Sequence, residues 1–187
     1  MRQTIGYHIV ISGYGLWLPG DERGSWSEAW DQQIGFIEPH KLHAGDPVRL
    51  RMSQERMTHP PVRLSNQMIE TIIDTLGDCS ADSDWRIAAA SIEATHMHLL
   101  LTYTDRNIDG TVKWLKDRTT KAVHRSTSHT GPVWSKGKWR GFVFDTQAWD
   151  NMREYIERHN ERRGVGPRPY LFLVFGRDPQ SREMPSL

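Results

Sequence analysis

The sequence contains two histidines separated by a single apolar residue, His96-Met97-His98, an arrangement that can bind a metal ion. Successive side chains of a β-strand point to opposite faces, so His96 and His98 would share one face while Met97 points to the other. Two imidazoles held in this way can chelate one divalent cation. The same pattern also fits two histidines on a half-exposed strand that bind nothing, and the pair alone does not decide between these interpretations.

A tyrosine and a third histidine, Tyr155 and His159, lie four residues apart in a segment with helical periodicity. Trp149, Met152 and Ile156 mark the stripe of this helix that is expected to be buried, and Tyr155 and His159 share the face beside it. If that face covers the histidine strand, His159 completes a three-nitrogen metal site next to a phenol. Taken alone, Tyr155 also fits a core aromatic residue with its hydroxyl at the edge.

Hydrophobic periodicity predicts the elements that must position these residues. Strands are expected over residues 7–11, 85–92, 97–103 and 141–144, and helices over residues 64–76, 108–125 and 147–163. Gly77 and Asp78 are expected to end the first helix. Residues 169–175 are expected to form a last short strand or a packed tail. The order predicts an α+β fold with a ferredoxin-like βαββαβ core, an antiparallel sheet with helices on one face.

One segment does not follow this order. Residues 13–60 are rich in Gly, Pro, Trp, His and charge and show no sustained period. A stretch of this length is usually functional or poorly ordered. We interpret the chain as one domain over residues 1–187, with a long insertion at about 13–60 and a C-terminal tail from about 176. Trp17, Trp26 and Trp30 of the insertion could read DNA or close a small core.

Composition and charge exclude several classes of protein. Hydrophobic residues make up 37% and charged residues 25% of the chain, which is typical of a globular domain. No apolar run approaches the roughly 18 residues that a membrane helix needs, so no membrane partner is expected. The single cysteine, Cys79, excludes an internal disulfide and favours a reducing cytoplasm.

The formal net charge of +1 conceals a local separation of charge. Residues 64–97 carry one Arg against six acidic residues, whereas residues 105–140 carry nine Lys or Arg against Asp105, Asp109 and Asp117. The basic segment indicates a surface that faces a polyanion. Two solvated helix faces would give the same counts.

Three segments, taken in order, resemble the HUH single-tyrosine transposases, and among them the REP-associated tyrosine transposases. The segments are Thr-His-Met-His-Leu at 95–99, Pro-Val-Trp-Ser-Lys-Gly-Lys-Trp-Arg-Gly at 132–141, and Tyr-Ile-Glu-Arg-His-Asn-Glu-Arg-Arg-Gly at 155–164. The resemblance covers residues 85–164 and the first strand. It does not extend to the insertion.

The resemblance implies that His96 and His98 are paired metal ligands and that Tyr155 is the nucleophile. It implies DNA transposition by nicking and strand transfer through a covalent 5′-phosphotyrosine, with Mg or Mn as the divalent cofactor. Position 159 supplies a third ligand in this family, commonly an amide side chain. The histidine found here departs from that pattern and favours softer ions such as Mn, Co or Zn.

The implied partner is single-stranded or hairpin DNA, bound by a protein that is either a monomer or a homodimer. The candidate DNA-binding residues are Lys113, Lys116, Lys121, Trp134, Lys136, Lys138, Arg140 and Asn160. The basic side chains would follow phosphates, and Trp134 would stack on exposed bases. Trp139 could stack on bases in the same way, but core packing is the favoured interpretation because it stands just before a strand. The remaining histidines, which are His8, His40, His43, His59, His124 and His129, are interpreted as ordinary polar residues.

Three other functions fit the same residues. A domesticated relative would bind hairpin DNA or RNA without cutting it. A metal-dependent phosphodiester hydrolase would use water in place of Tyr155. A structural module of the same fold would bind no metal at all.

Overall fold

A computed structural model describes residues 3–26 and 42–176 of the 187-residue chain. Strands form at β1 (Gly6–Ser12), β2 (Ser25–Trp26), β3 (Leu42–His43), β4 (Ile87–Ile92), β5 (His96–Thr102) and β6 (Trp139–Val143). Helices form at α1 (Pro47–Glu55), α2 (Asn66–Ala81), α3 (Ile108–Ser126) and α4 (Thr146–Arg162). Trp30, His40 and the tail beyond residue 176, which we also assigned from the sequence, lie outside the described residues.

The main sheet has the strand order β4-β5-β1-β6, and every neighbouring pair is antiparallel. Helix α2 connects β1 to β4, and α3 connects β5 to β6. The predicted ferredoxin-like βαββαβ core is therefore confirmed. The central strands β5 and β1 are paired along their full length, from Gly6 opposite Thr102 to Ser12 opposite His96.

The two faces of the sheet are covered by different helices. One face packs against α2 and α3, which were expected there, in a core that includes Ile9, Ile11, Leu99, Ile72 and Leu115. Helix α4, which carries Tyr155, lies on the opposite face. The expectation that helices cover one face therefore holds for α2 and α3 but not for α4. The physical reason is that the α4 face also carries apolar side chains, among them Leu100 and Val143, which a helix can cover.

The second, smaller core anchors α4 to the sheet. It joins Ala88, Ala89, Leu100 and Val143 of the strands to Trp149 and Ile156 of the helix. Close approach is required at Gly6, where an added Cβ would lie 2.3 Å from Cζ3 of Trp149. Asp145 caps the helix by accepting the Ala148 N–H at 2.8 Å. The same packing carries Tyr155 and His159 over the strand that bears the paired histidines.

Helix α2 continues past the predicted stop at Gly77 and Asp78 and ends at Ala81. The expected stop was wrong because the last turn is covered by the chain after α4. Phe172 packs against Gly77, where an added Cβ would be 3.2 Å from its ring. Residues 170–173 are thus a packed tail, and Val174 donates its N–H to the Ile87 carbonyl at 3.0 Å.

The insertion holds a helix that periodicity does not reveal. Helix α1 buries only Ser53, so it has no apolar stripe. Its start is marked by Asp46, which accepts from the N–H groups of Val48 and Arg49, and by Pro47 at the first helical position. The hydroxyl of Ser53 donates to the Pro19 carbonyl at 3.0 Å and ties the helix to the preceding loop. Among the described residues, none of the helices is long and apolar enough to span a bilayer.

Candidate metal centre and catalytic tyrosine

The fold brings together three histidines that are far apart in sequence. His96 and His98 project from β5 toward α4, and His159 projects from the last turns of α4 toward β5. One ring nitrogen of each lies within 4.8 Å of the others. The predicted clustering of these three residues is present, and it depends on Trp149 and Ile156 docking α4 onto the sheet.

The spacing of the ring nitrogens fits a metal ion. The Nε2 atoms of His96 and His98 are 3.0 Å apart. Metal–nitrogen bonds are about 2.0–2.1 Å, so two ligands at right angles on one ion lie about 3 Å from each other. The Nε2 atom of His159 is buried and has no hydrogen-bond partner among the described residues. A buried nitrogen without a partner is costly unless a ligand satisfies it.

The second nitrogen of each ring is held by a neighbouring side chain. Nδ1 of His96 is 2.8 Å from the Thr95 hydroxyl, and Nδ1 of His159 is 2.7 Å from a carboxylate oxygen of Glu93. Nδ1 of His98 is 3.1 Å from Nε2 of His8. Such outer contacts orient metal-binding imidazoles and, once a metal is bound, hold the proton on Nδ1 so that Nε2 is free for the ion. All three rings therefore present Nε2 as the candidate ligand atom.

The electrostatics favour the neutral form of His8, His96 and His98, and the neutral imidazole is the form that binds a metal. Burial, with smaller contributions from the other three histidines, lowers the pKa of His98 to about 2. Burial and then His159 lower the pKa of His8 to about 4. Burial also lowers the pKa of His96, although the nearby Glu93 carboxylate acts in the opposite direction. Protons therefore compete weakly for His98 near neutral pH.

Tyr155 stands at the open side of this cluster. Its ring centroid is 4.8 Å from that of His159 and 5.5 Å from that of His98. The side chain is 45% exposed, so it is not the core aromatic residue that the sequence also allowed. Tyr155 is therefore an exposed phenol that lies beside the histidine cluster and is open to solvent.

The predicted basic residues differ in exposure and in whether an acidic side chain is paired with them. Lys113 and Lys136 are exposed and, with Lys116 and Lys138, line a cleft of about 360 Å³ between α3 and the loop before β6. Lys138 and Arg140 are both paired with Asp109, at 3.3 Å and 2.7 Å. Lys121 is exposed on the same helix, beside Asp117.

Lys116 does not fit the predicted role of following phosphates. Its ammonium group donates to the carbonyls of Ser135, Lys136 and Gly137. Burial, helped by the charge of Lys138, lowers its pKa to about 8. These three contacts use every donor of the ammonium group, so Lys116 anchors the loop instead of binding DNA directly.

The roles predicted for the two tryptophans are interchanged. Trp134 is 6% exposed and its indole N–H donates to the Thr119 hydroxyl at 2.9 Å, so the expectation that it stacks on bases was wrong. Trp139 is 49% exposed and lies edge-to-face on His8, with ring centroids 5.0 Å apart. Its ring lies across Gly141, where an added Cβ would be 2.8 Å from Cη2. The difference arises because Trp134 faces α3 from the loop, whereas Trp139 lies on an edge strand.

Asn160 was assigned to DNA binding, and the structure contradicts this. The side chain is 0% exposed, and its Nδ2 donates to the carbonyls of Ala90 and Pro167 at 2.8 Å and 3.0 Å. The Asn160 side chain therefore links α4 to β4 and to the segment that follows α4. Its neighbour His159 meets the sheet at a different place, beside Glu93 and His98, because consecutive helical residues point in different directions.

Three residues of the site were not selected from the sequence as metal-site residues. Thr95 and Glu93 precede the histidine pair closely, and Glu93 was interpreted only as part of a tight connection. His8 was interpreted as an ordinary polar residue, but it is buried beside His98. A signal for His8 did exist, since it alternates with buried apolar residues along β1, but its partner depends on strand register, which the sequence does not define.

Comparisons with known proteins assign the chain to a family. The sequence profile of the family described as IS200-like transposase matches residues 61–159, just over half of the chain. This segment includes all three histidines and Tyr155. No curated protein matches the chain.

Two solved structures show weak overall similarity. A REP-associated tyrosine transposase bound to a REP hairpin is 13% identical with a TM-score of 0.46, over 88% of this chain and 72% of that one. A protein from Deinococcus radiodurans R1 that was assigned as a transposase is 16% identical with a TM-score of 0.44, over 85% of this chain and 93% of that one. At these scores the superpositions carry no argument, and the assignment rests on the sequence profile. By that match the protein belongs to the IS200-like transposase family.

Proposed function

We propose that this protein nicks single-stranded DNA and transfers the cut strand, with Tyr155 as the nucleophile. The observation that carries the proposal is the position of the exposed Tyr155 ring, 4.8 Å and 5.5 Å from two members of a three-histidine cluster. The family assignment supports DNA transposition as the overall activity. The site supports the chemical step.

A divalent metal ion is the expected cofactor. His96, His98 and His159 would hold it through Nε2, and the ion would offset negative charge on the scissile phosphate. Three imidazoles favour Mn, Co or Zn over Mg in comparison with a site that includes an oxygen ligand. The remaining polar contacts, to Thr95, His8 and Glu93, keep the three rings in place.

The proposed reaction is a transesterification. The phenolic oxygen of Tyr155 gives up its proton and bonds to phosphorus, while the bond between phosphorus and the 3′ oxygen breaks. The departing oxygen takes up a proton and becomes a 3′-hydroxyl, and the 5′ end remains on Tyr155 as a phosphodiester. The polarity of the cut follows from the family resemblance. Because the number of phosphodiester bonds is unchanged, a hydroxyl can reverse the step without ATP.

The DNA would approach along the edge of the sheet formed by β6. Trp139 is the exposed aromatic residue next to the site and can stack on a base, which is worth about 1–3 kcal/mol. Lys113 and Lys136 line the neighbouring cleft and can contact phosphates of the strand or of an adjacent hairpin. This replaces the sequence-based choice of Trp134, Lys116 and Asn160.

The proposal is tested by trapping the covalent product. The full chain would be incubated with Mn²⁺ and a pool of end-labelled single-stranded hairpin oligonucleotides, then resolved on a denaturing gel. We expect a labelled protein–DNA adduct with the wild type and none with Tyr155→Phe. Tyr103→Phe is the matched control, because Tyr103 is also exposed but directly follows the end of β5 that is remote from His96.

The other functions give different products. Cleavage without an adduct that persists in Tyr155→Phe would indicate a hydrolase that uses water. The oligonucleotide pool should include the repeated sequences of the host genome. If the protein then binds hairpins but gives neither cleavage nor an adduct, it is a non-catalytic binding protein. Either result would overturn the proposal.

A further inference from the structure

His8 is a buried histidine that contacts the metal site without belonging to the three candidate ligands. It is 4% exposed, and its ring is stacked on that of His98 with centroids 5.3 Å apart. Its Nε2 is 3.1 Å from Nδ1 of His98. Trp139 and Tyr155 pack edge-to-face against it and cover its outer side. Burying a polar ring carries a desolvation cost that an apolar ring would avoid, and the contact with His98 is the hydrogen bond that offsets it.

The contacts form a chain of hydrogen bonds with two consistent proton arrangements. In the first arrangement, Nε2–H of His8 donates to Nδ1 of His98, and Nε2–H of His98 donates to Nε2 of His96 over 3.0 Å. Nδ1–H of His96 then donates to the Thr95 hydroxyl over 2.8 Å. Each ring is neutral and carries one proton. We expect this arrangement in the metal-free protein, because it puts no proton on Nδ1 of His8, which is buried without a partner among the described residues.

A metal ion on Nε2 of His98 excludes that arrangement, because the coordinating nitrogen cannot keep its proton. The proton of His98 must then lie on Nδ1, where the acceptor within reach among the described residues is Nε2 of His8. His8 in turn carries its proton on Nδ1, which is buried and has no partner in the described part of the chain. The number of protons on the three rings does not change.

We propose that His8 is a positioning residue that accepts the Nδ1 proton of His98 and so presents Nε2 of His98 to the metal. The inference rests on the proposed metal-dependent function, and it extends the pattern of Thr95 on His96 and Glu93 on His159 to the third ring. In this arrangement each ligand has its own hydrogen-bond partner, and the tautomers of His8 and His98 both change when the metal binds.

The first test measures metal affinity directly. Isothermal titration calorimetry of the full chain with Mn²⁺ would compare the wild type with His8→Phe, which keeps the ring but removes the acceptor. We expect a 10- to 100-fold weaker affinity for His8→Phe, the usual effect of losing an outer-shell partner. His8→Gln should recover most of the affinity, because its amide oxygen can accept near the position of Nε2. His59→Phe controls for replacing an exposed histidine elsewhere.

The second test follows the tautomers and does not depend on any variant folding. Long-range proton–nitrogen correlation spectra of the wild type would be recorded with a chelator and with Zn²⁺, which is diamagnetic. We expect the protonated nitrogen of His98 to change from Nε2 to Nδ1, and that of His8 to change in the same direction.

The outcomes separate this inference from the proposed function. Equal Mn²⁺ affinity in the wild type and His8→Phe, or a His98 proton that stays on Nε2 with Zn²⁺ bound, would overturn the role of His8 and leave Tyr155 chemistry intact. A wild type that binds no divalent ion would overturn the metal site and this inference together. An adduct that is lost in Tyr155→Phe while metal affinity is unchanged there would support the proposed function alone.

Discussion

At the scale of single residues, the site is defined by which nitrogen each histidine offers. His96, His98 and His159 would all use Nε2, because their Nδ1 atoms are engaged by Thr95, His8 and Glu93. Glu93 differs from the other two partners because it carries charge. A carboxylate bonded to a ligating imidazole both fixes the ring and makes its other nitrogen a stronger ligand.

Glu93 therefore offers a residue-scale prediction. We expect Glu93→Ala to weaken Mn²⁺ binding about 10- to 100-fold, because His159 loses the partner that fixes its tautomer. Glu93→Gln should have a smaller effect, since its amide oxygen can still accept from Nδ1. The measurement is a calorimetric titration with Mn²⁺, with Glu70→Ala as an exposed acidic control. Equal affinity in Glu93→Ala and the wild type would show that the carboxylate does not support the ligand.

At the scale of elements, α3 and the loop before β6 act as one unit. Lys116 holds three consecutive loop carbonyls, and Asp109 at the start of the same helix holds Lys138 and Arg140. These contacts set the position of the edge strand and of Trp139 beside the candidate site. Of the basic residues of α3, Lys116 thus holds the loop in place, whereas Lys113 is exposed in the cleft and available to a ligand.

The two lysines should respond differently to removal. We expect Lys116→Ala to lower the free energy of unfolding by about 1–3 kcal/mol, because three carbonyls lose their donor. Lys113→Ala should change stability by less than about 0.5 kcal/mol, as is usual for an exposed residue. In DNA binding, Lys113→Ala should reduce the salt dependence by about one phosphate contact.

Urea unfolding and a salt series of hairpin binding would provide these measurements. If both variants unfold at the wild-type urea concentration, Lys116 is not the anchor that its contacts indicate. A salt slope for Lys113→Ala equal to that of the wild type would remove this cleft from the DNA path.

At the scale of the whole molecule, the larger hydrophobic core and the candidate site lie on opposite faces of the sheet. One face carries the larger core with α2 and α3, and the other carries α4, the smaller core and the three histidines. The buried imidazoles of His8 and His98 lie on this second face and are neutral, so the free energy of unfolding depends on pH. The unfolded chain exposes the same histidines to water, where their pKa is near 6.5.

We expect the metal-free protein to lose stability as the pH falls from about 7 to 5. The pKa of His8 is about 4 and that of His98 about 2 in the folded state, both below the unfolded value of 6.5. Stability from these groups is therefore complete above pH 6.5 and decreases below it, because the unfolded chain binds protons that the folded protein does not. The expected loss at pH 5 is on the order of 1–2 kcal/mol for each histidine.

Urea unfolding in EDTA at pH 7.5 and pH 5.0 would measure this loss. His8→Phe should show a smaller difference between the two pH values, since one of the two groups is absent. Equal stability of the wild type at both pH values would contradict the burial of neutral imidazoles in this site.

The sequence by itself determined the elements of the core and most members of the site. Apolar periodicity within β5, α3 and α4 is a local property, and so is the alternation that puts His96 and His98 on one face. The spacing of Tyr155 and His159 on one helix face is local as well. The family resemblance implied the roles that we propose for them, and the fold placed them together.

Only the tertiary structure decided which partners complete the site and which residues serve structure instead. His8 meets His98 through the pairing of β1 with β5, and Glu93 meets His159 through the docking of α4. Asn160 and Lys116 are polar residues that became structural because backbone carbonyls from distant segments reach them. Such contacts join residues that are remote along the chain, so local pattern and residue type contain no information about them. Helix α1 was not predicted because it has no apolar stripe. It is stabilised by its Asp46 cap and by the hydrogen bond from Ser53 to Pro19.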